Sequence, residues 1–228
     1  MRIAEIYESR QGEGLLTGTP SVFVRASGCN LRCRFCDTPF TSWSPEGEDW
    51  SIGEIVHAVR GYAARHVVIT GGEPMLFAEL LPLTKALAAA GLHLTIETAG
   101  TLYLPVQCDL MSISPKLSNS TPAAESHPQW HRRHEQTRHA PDVIRRLILG
   151  REYQLKFVVE SHSDCDEIES YLSQFPELDR GRVLLMPQGT IASALAEIGH
   201  WLRPLCQERG LRYCPRMQIE WYGHQRGT

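Results

Sequence analysis

Apolar positions fall in short β-branched runs separated by longer stretches of helical period, an alternation that predicts repeated strand–helix units. The runs are Pro20–Ser27, His66–Thr70, His93–Glu97, Asp109–Ile113, Leu155–Glu160 and Arg182–Met186, preceded by an extended segment Arg2–Ser9. Helical patterns cover Ser51–Ala64 and Met75–Ala90, with two more near Asp164–Gln174 and Ile191–Glu208. Ser51 and Glu54 have capping-box spacing, and Gly91 is placed to end the second helix. No short-period repeat is present.

Polar chemistry collects just after the strands: Thr70-Gly71-Gly72-Glu73-Pro74, Glu97-Thr98-Ala99-Gly100-Thr101, Ser114-Pro115-Lys116 and Met186-Pro187-Gln188-Gly189. That position is the active rim of a βα barrel. A full eight-unit barrel takes about 250 residues. At 228 residues, with an irregular segment at Leu117–His139, the chain is short for eight units. The expectation is therefore an α/β fold: one domain over 1–228, an incomplete, open TIM-like βα barrel of about six strands, with a functional loop after the first barrel strand. Lys156 lies inside the apolar run Leu155–Val159, where a charge needs a partner, so a barrel-interior role is expected.

The irregular segment carries His127, His131, His134 and His139 beside Arg132, Arg133 and Arg138. These histidines and arginines admit a zinc-site or an RNA-surface reading. Pro122, Pro128 and Pro141 frame it as an insertion, and without cysteine partners the expectation is a solvated loop with one short helix. Gly12-Glu13-Gly14 has no Gly at the third dinucleotide-fingerprint position and no predicted helix after it.

Hydrophobic residues make up 42% of the chain, enough to bury a core, so extensive disorder is excluded. A formal charge of −3 without blocks of like charge argues against a nucleic-acid surface. Val183–Ala196, the longest run free of charged residues, is broken by Pro187 and too short to cross a bilayer. The first residues lack the apolar core of a signal peptide, and a cytoplasmic, reducing compartment is expected.

In such a compartment the seven cysteines become informative. Cys29, Cys33 and Cys36 form C-x3-C-x2-C, whereas Cys108, Cys165, Cys206 and Cys214 are scattered and read as structural. Three thiolates can hold three irons of a 4Fe-4S cluster and leave the fourth open. A structural zinc site usually takes four protein ligands, and no nearby fourth cysteine exists.

The triplet followed by Gly71-Gly72-Glu73-Pro74 resembles the radical S-adenosylmethionine (SAM) superfamily. Gln11-Gly12-Glu13-Gly14, Arg25, Cys36-Asp37-Thr38, Ser114-Pro115-Lys116 and the terminal Tyr222–Thr228 narrow the resemblance to the 7-carboxy-7-deazaguanine synthases. That family implies a 4Fe-4S cluster, SAM and Mg²⁺, and ring contraction of 6-carboxy-5,6,7,8-tetrahydropterin to 7-carboxy-7-deazaguanine with loss of ammonia, on the route to queuosine. It further implies a flavodoxin-like or ferredoxin-like electron donor, a homodimer, and neither nucleic-acid nor membrane partners. Carried over by position, Cys29, Cys33 and Cys36 hold the cluster and Thr38 contacts Mg²⁺. Phe35, Asp37, Gly72, Glu73, Ser114, Pro115, Lys116 and Gln188 bind SAM. Arg10, Gln11, Gly12, Glu13, Arg25, Thr70, Gln218 and the Thr228 carboxylate bind substrate. Gln218 stands where many of the family carry a His; it can hydrogen-bond but cannot ionise. The resemblance assigns no general base. The rival readings are a glycyl-radical-enzyme activase, which shares the cluster loop but acts on a protein, and a non-catalytic zinc module.

Overall fold

The computed structural model describes residues 1–228. The β-branched runs form a single sheet of nine strands in the order β3-β1-β2-β4-β5-β6-β7-β8-β9. Its parallel part consists of β2 (Pro20–Ala26), β4 (His66–Gly71), β5 (His93–Thr98), β6 (Leu110–Ile113), β7 (Tyr153–Val159), β8 (Val183–Pro187) and the two-residue β9 (Arg212–Tyr213). Two antiparallel strands, β1 (Arg2–Arg10) and β3 (Glu48–Asp49), extend it at one edge. The edges β3 and β9 do not pair, so the barrel stays open, with six full parallel strands as the sequence leads one to expect.

The sheet is nevertheless strongly curled. Five strand spacings separate β1 from β7, about 24 Å in a flat sheet. Yet Lys156 Nζ on β7 lies 2.5 Å from Glu13, just beyond β1, and Gly14 N–H donates to Cys214 Sγ at 3.1 Å. The curl brings the strand C-termini around a shared cleft. Below it, Val22, Val24, Val67, Ile69, Leu94, Ile96, Ile113, Leu155 and Phe157 are buried against the surrounding helices.

The flanking helices are α1 (Ile52–Arg60), α2 (Leu80–Ala89), α3 (Pro128–Arg138), α4 (Pro141–Ile148), α5 (His162–Leu172), α6 (Ala192–Glu208) and α7 (Met217–Tyr222). The capping box at Ser51 and Glu54 forms in full. The second helix begins later than its apolar pattern: Glu73 caps a separate 3-10 turn at Pro74–Leu76, and α2 starts at Leu80. It ends as expected, with Gly91 at φ 71° and paired bonds from Gly91 and Leu92 N–H to Ala88 and Leu87 C=O.

The expectation for Leu117–His139 needs correction. The one expected helix is present as the 11-residue α3, but the segment also folds a 3-10 turn at Ser118–Ser120 and is not merely solvated, since His134 is fully buried. No helix of the chain is long and apolar enough to cross a membrane.

Candidate active site

The C-terminal rim of the sheet encloses a cleft of about 560 Å³. The loop after β2 brings Cys29, Cys33 and Cys36 to one wall, none of them in a disulfide. Leu31 N–H donates to Cys29 Sγ at 3.4 Å and Ser42 O–H to Cys36 Sγ at 3.2 Å, contacts that suit sulfurs carrying thiolate charge. Burial pushes the Cys29 thiol up to about 11 and that of Cys33 up to about 12, so ligation to iron must release protons. Three free thiols on one cleft wall match the three protein ligands of a 4Fe-4S cluster with one open iron. Cys165, Cys206 and Cys214 are buried, and neither they nor Cys108 line the cleft, matching their structural reading.

Behind the thiols runs the Gly71-Gly72 edge of β4. Gly72 N–H donates to Ala26 C=O at 3.0 Å, and Glu73 N–H to Gly28 C=O at 2.8 Å. A Cβ on Gly72 would lie 2.1 Å from the Gly28 oxygen, and Gly71 holds φ 125° with its Cβ position 2.0 Å from the Ala26 oxygen. The two glycines therefore let this edge pack directly on the cluster loop. Glu73 does not face the cleft. It is fully buried behind the wall, accepting from Met75 N–H at 3.0 Å, Ala99 N–H at 2.9 Å and Thr98 O–H at 2.8 Å. Burial raises its pKa despite those donors. Pro115 likewise stays out of the cleft lining, while Phe35, Asp37, Gly72, Ser114, Lys116 and Gln188 line the same cleft as the thiols. Lys116 Nζ donates to Ser114 Oγ and C=O, both at 2.8 Å. Thr38, on the cleft wall, precedes the turn Pro39–Thr41 without capping it through its side chain, and its hydroxyl oxygen accepts from Thr41 O–H at 3.3 Å.

Arg10, Gln11, Gly12, Glu13, Arg25, Thr70, Gln218 and Thr228 line the same cleft. Several already have partners. Gln11 Nε2 donates to Ser21 Oγ at 2.9 Å. Arg25 Nε pairs with Glu5 at 2.7 Å and its Nη2 donates to the Tyr7 hydroxyl at 2.9 Å. Thr70 O–H donates to Glu97 at 2.8 Å. Glu13 lies at the centre of a buried network, accepting from Lys156, from Arg216 Nε at 3.2 Å and from Gln218 Nε2 at 2.6 Å. Burial alone would raise its carboxyl pKa, but Lys156 and Arg216 outweigh it and bring it down to about 2. Lys156 thus has the partners its position required, Glu13 and Glu97, which overcome burial and hold its ammonium above the ordinary lysine range. Gln218 Oε1 is buried with no hydrogen-bond partner. It is an unsatisfied acceptor beside Gly12, where a Cβ would fall 2.2 Å from it.

Arg216 escaped the sequence reading. It donates to Glu13, to Gly189 C=O at 2.7 Å and to Asp37. One guanidinium thereby ties the substrate-side motif, the rim after β8 and the residue following Cys36. An isolated arginine after a short strand carries no sequence signal for this. Arg226 lies within the terminal Tyr222–Thr228 motif, which gave it no role of its own: it donates to Glu5 at 2.9 Å and Glu46 at 2.8 Å, drawing residues 223–228 over the cleft.

Residues 23–148 match the radical SAM superfamily model. Over 227 residues the chain is 47% identical to the 7-carboxy-7-deazaguanine synthase of Rhodopirellula baltica, covering 99% of this chain and 88% of that protein. The chain belongs to the 7-carboxy-7-deazaguanine synthase family. The synthase of Halobacterium salinarum is 44% identical over 227 residues, covering 95% of this chain and 88% of that protein. Among solved structures, QueE from Escherichia coli superposes with a TM-score of 0.72 at 26% identity, covering 95% of this chain and 93% of that one. Streptococcus suis SuiB bound to S-adenosylmethionine shares the fold, with a TM-score of 0.56 at 14% identity over 87% of this chain and 54% of that one. Membership of this synthase family over nearly the whole chain removes the activase and zinc-module alternatives.

Proposed function

We propose that this chain converts 6-carboxy-5,6,7,8-tetrahydropterin to 7-carboxy-7-deazaguanine and ammonia. The observation that carries this reading is that three free thiols line the same cleft as Arg25, Glu13 and Gln218, whose Oε1 has no hydrogen-bond partner. A bound 4Fe-4S cluster and SAM supply the radical chemistry that a protein side chain cannot.

The chain's own residues bind, orient and exclude water. Cys29, Cys33 and Cys36 take three irons, and Leu31 N–H and Ser42 O–H offset charge on the sulfurs. The Gly72 edge, with Glu73 bracing it from behind, offers backbone carbonyls to an ammonium group. Lys116, held by Ser114, and Gln188 supply polar contacts on the same side. Across the cleft, the guanidinium of Arg25 is suited to a planar carboxylate, which would compete with Glu5 for it. Gln218 Oε1 and Glu13 accept from the N–H edge of a pterin, and Thr70 and the Thr228 carboxylate close around it. Thr38 offers a single hydroxyl to Mg²⁺, whose other ligands would come from water and substrate oxygens. Lys156 stays charged between two carboxylates and acts as a fixed cation rather than a base.

The wider expectations remain part of this proposal: a single radical SAM domain over 1–228, a cytoplasmic homodimer, and a flavodoxin-like or ferredoxin-like donor. Anaerobic incubation of iron-reconstituted protein with SAM, reductant, Mg²⁺ and the carboxypterin tests it. Formation of 7-carboxy-7-deazaguanine is expected; SAM cleavage without that product would redirect the assignment to another substrate.

A further inference from the structure

The loop from Cys29 to Cys36 has almost no structure of its own. Within it a single backbone hydrogen bond closes, Cys36 N–H to Cys33 C=O at 3.3 Å. Its shape is imposed from outside, largely by residues 117–139. Arg32 N–H donates to His134 Nδ1 at 3.2 Å, and Arg34 N–H donates to Ser120 C=O at 2.9 Å. His134 is fully buried, and its Nε2 meets Ser120 Oγ at 2.9 Å. The Ser120 hydroxyl donates to Leu117 C=O at 2.6 Å, which leaves its oxygen to accept from His134. This fixes the neutral Nε2–H tautomer and makes Nδ1 an acceptor aimed at the cluster loop.

Two aromatic contacts reinforce the hold. The Arg32 guanidinium lies 4.0 Å from the Trp130 ring centre while donating to Cys29 and Leu31 C=O at 2.7 and 2.8 Å. Trp43 Nε1 donates to Cys33 C=O at 2.9 Å, and its ring packs 4.7 Å from that of His127. The insertion is itself anchored to the scaffold. Asn119 Nδ2 donates to Val158 C=O of β7 at 3.1 Å, and Glu167 of α5 accepts from Ser118 N–H at 2.9 Å and Arg138 Nη1 at 3.1 Å. The connected path runs from sheet and α5, through the Ser118–Ser120 turn, to His134 and the backbone between the first two cysteines.

We infer that residues 117–139 are a clamp that sets the cluster loop in its ligating shape, with His134 as its positioning residue. This inference rests on the reading that Cys29, Cys33 and Cys36 hold a 4Fe-4S cluster. Groups that orient ligands from behind are worth about tenfold or more in metal retention. His134 does this through the backbone rather than through sulfur.

The test uses the full chain reconstituted anaerobically with iron and sulfide, as wild type, His134→Leu, His134→Asn, Trp43→Phe and His127→Ala. Iron per chain, the electron paramagnetic resonance spectrum of the reduced cluster, and the rate of iron loss to a chelator are measured. His134→Leu is expected to lose iron about tenfold faster and to show an altered spectrum. His134→Asn, which keeps an acceptor at the Nδ1 position, restores most of the retention; a role confined to core packing would give no such rescue. Trp43→Phe removes one donor to the loop and is expected to shift iron loss about threefold in the same direction. Because Trp43 is backed by His127 of the clamp, His127→Ala should give a shift in that direction too, which tests the clamp even if His134→Leu does not fold. Wild-type retention and spectrum in His134→Leu, Trp43→Phe and His127→Ala would overturn the clamp while leaving the cluster assignment intact. A wild-type chain that takes up no 4Fe-4S cluster would overturn the underlying assignment and the clamp with it.

Discussion

Arg216 is the residue on which most of the cleft's internal charge balance depends. Its side chain is almost wholly buried, and it neutralises Glu13 and Asp37 while holding Gly189 C=O. Arg216→Met leaves Glu13 with Lys156 and Gln218 as its partners and frees Asp37, whose side chain is 43% exposed and so screened by water. The expected cost is about 1–2 kcal/mol, below that of a fully stranded buried charge. The urea midpoint should fall accordingly. Arg216→Lys should recover only part of it, because an ammonium cannot reproduce the fork. Glu13 gives a pH signature. Its carboxyl, brought down to about 2, contributes stability that is fully present above its ordinary value near 4.5 and is lost as pH falls toward 2. Glu13→Gln should therefore be much less stable than wild type at neutral pH and converge with it toward pH 2 in urea titrations. The cysteine triplet was marked by its spacing and Lys156 by a charge inside an apolar run, whereas Arg25 and Gln218 were marked only by the family resemblance. Arg216 carried no such mark, since its partners Glu13, Gly189 and Asp37 come from three distant segments. The burial of Glu73 was hidden in the same way: sequence identifies a carboxylate after two glycines but not that Thr98 and Ala99 enclose it.

The elements were legible where apolar period or capping chemistry was strong. Strands β1, β2 and β4 to β8 and helices α1, α5 and α6 match their expected positions within a few residues, whereas the two-residue β3 and β9 and the helix α4 were not expected. The place and length of α3 were not legible. Its sequence Pro128–Arg138 has no apolar face, and its one buried side chain is a histidine, so neither helical period nor a core pattern announces it. Burial lowers the His134 pKa to about 4, with Arg138, Lys116 and His131 adding to the lowering and Glu135 opposing it. A histidine held neutral in this way contributes stability that is present above its ordinary value near 6.5 and is lost as pH falls toward 4. His134→Asn should remove that part of the acid dependence, seen as a flatter midpoint between those pH values. At the other side of the cluster loop, Gly72→Ala places a methyl against the Gly28 oxygen. It is expected to displace the loop and lower cluster occupancy, measured as iron per chain, with thermal stability reduced as well.

At the scale of the molecule, curl is what turns a list of strand ends into a site. Strand order alone would separate Glu13 from Lys156; the observed ion pair requires that the sheet wrap round and that the open gap be bridged by the C-terminal segment. Met217 N–H reaches Gly12 C=O at 2.9 Å across that gap. Arg226 then ties the tail to Glu5 and Glu46. These pairs are largely exposed, and exposed pairs contribute about 0–1 kcal/mol. Arg226→Ala should accordingly leave the Tm nearly unchanged while raising KM for the pterin several-fold, a split that steady-state kinetics and melting curves resolve. The open parallel fold and the rim location of the chemistry follow from strand–helix alternation and polar residues after strands. The wrap across β1 to β7 does not, because no local pattern encodes how far a sheet bends. The decisive measurement is anaerobic turnover with 6-carboxytetrahydropterin deuterated at C6, following product and recovered SAM by mass spectrometry. If the cleft is a ring-contracting synthase, 7-carboxy-7-deazaguanine forms, deuterium exchanges into SAM and little SAM is consumed. SAM destroyed in step with turnover, without the deazaguanine and without exchange, would contradict it.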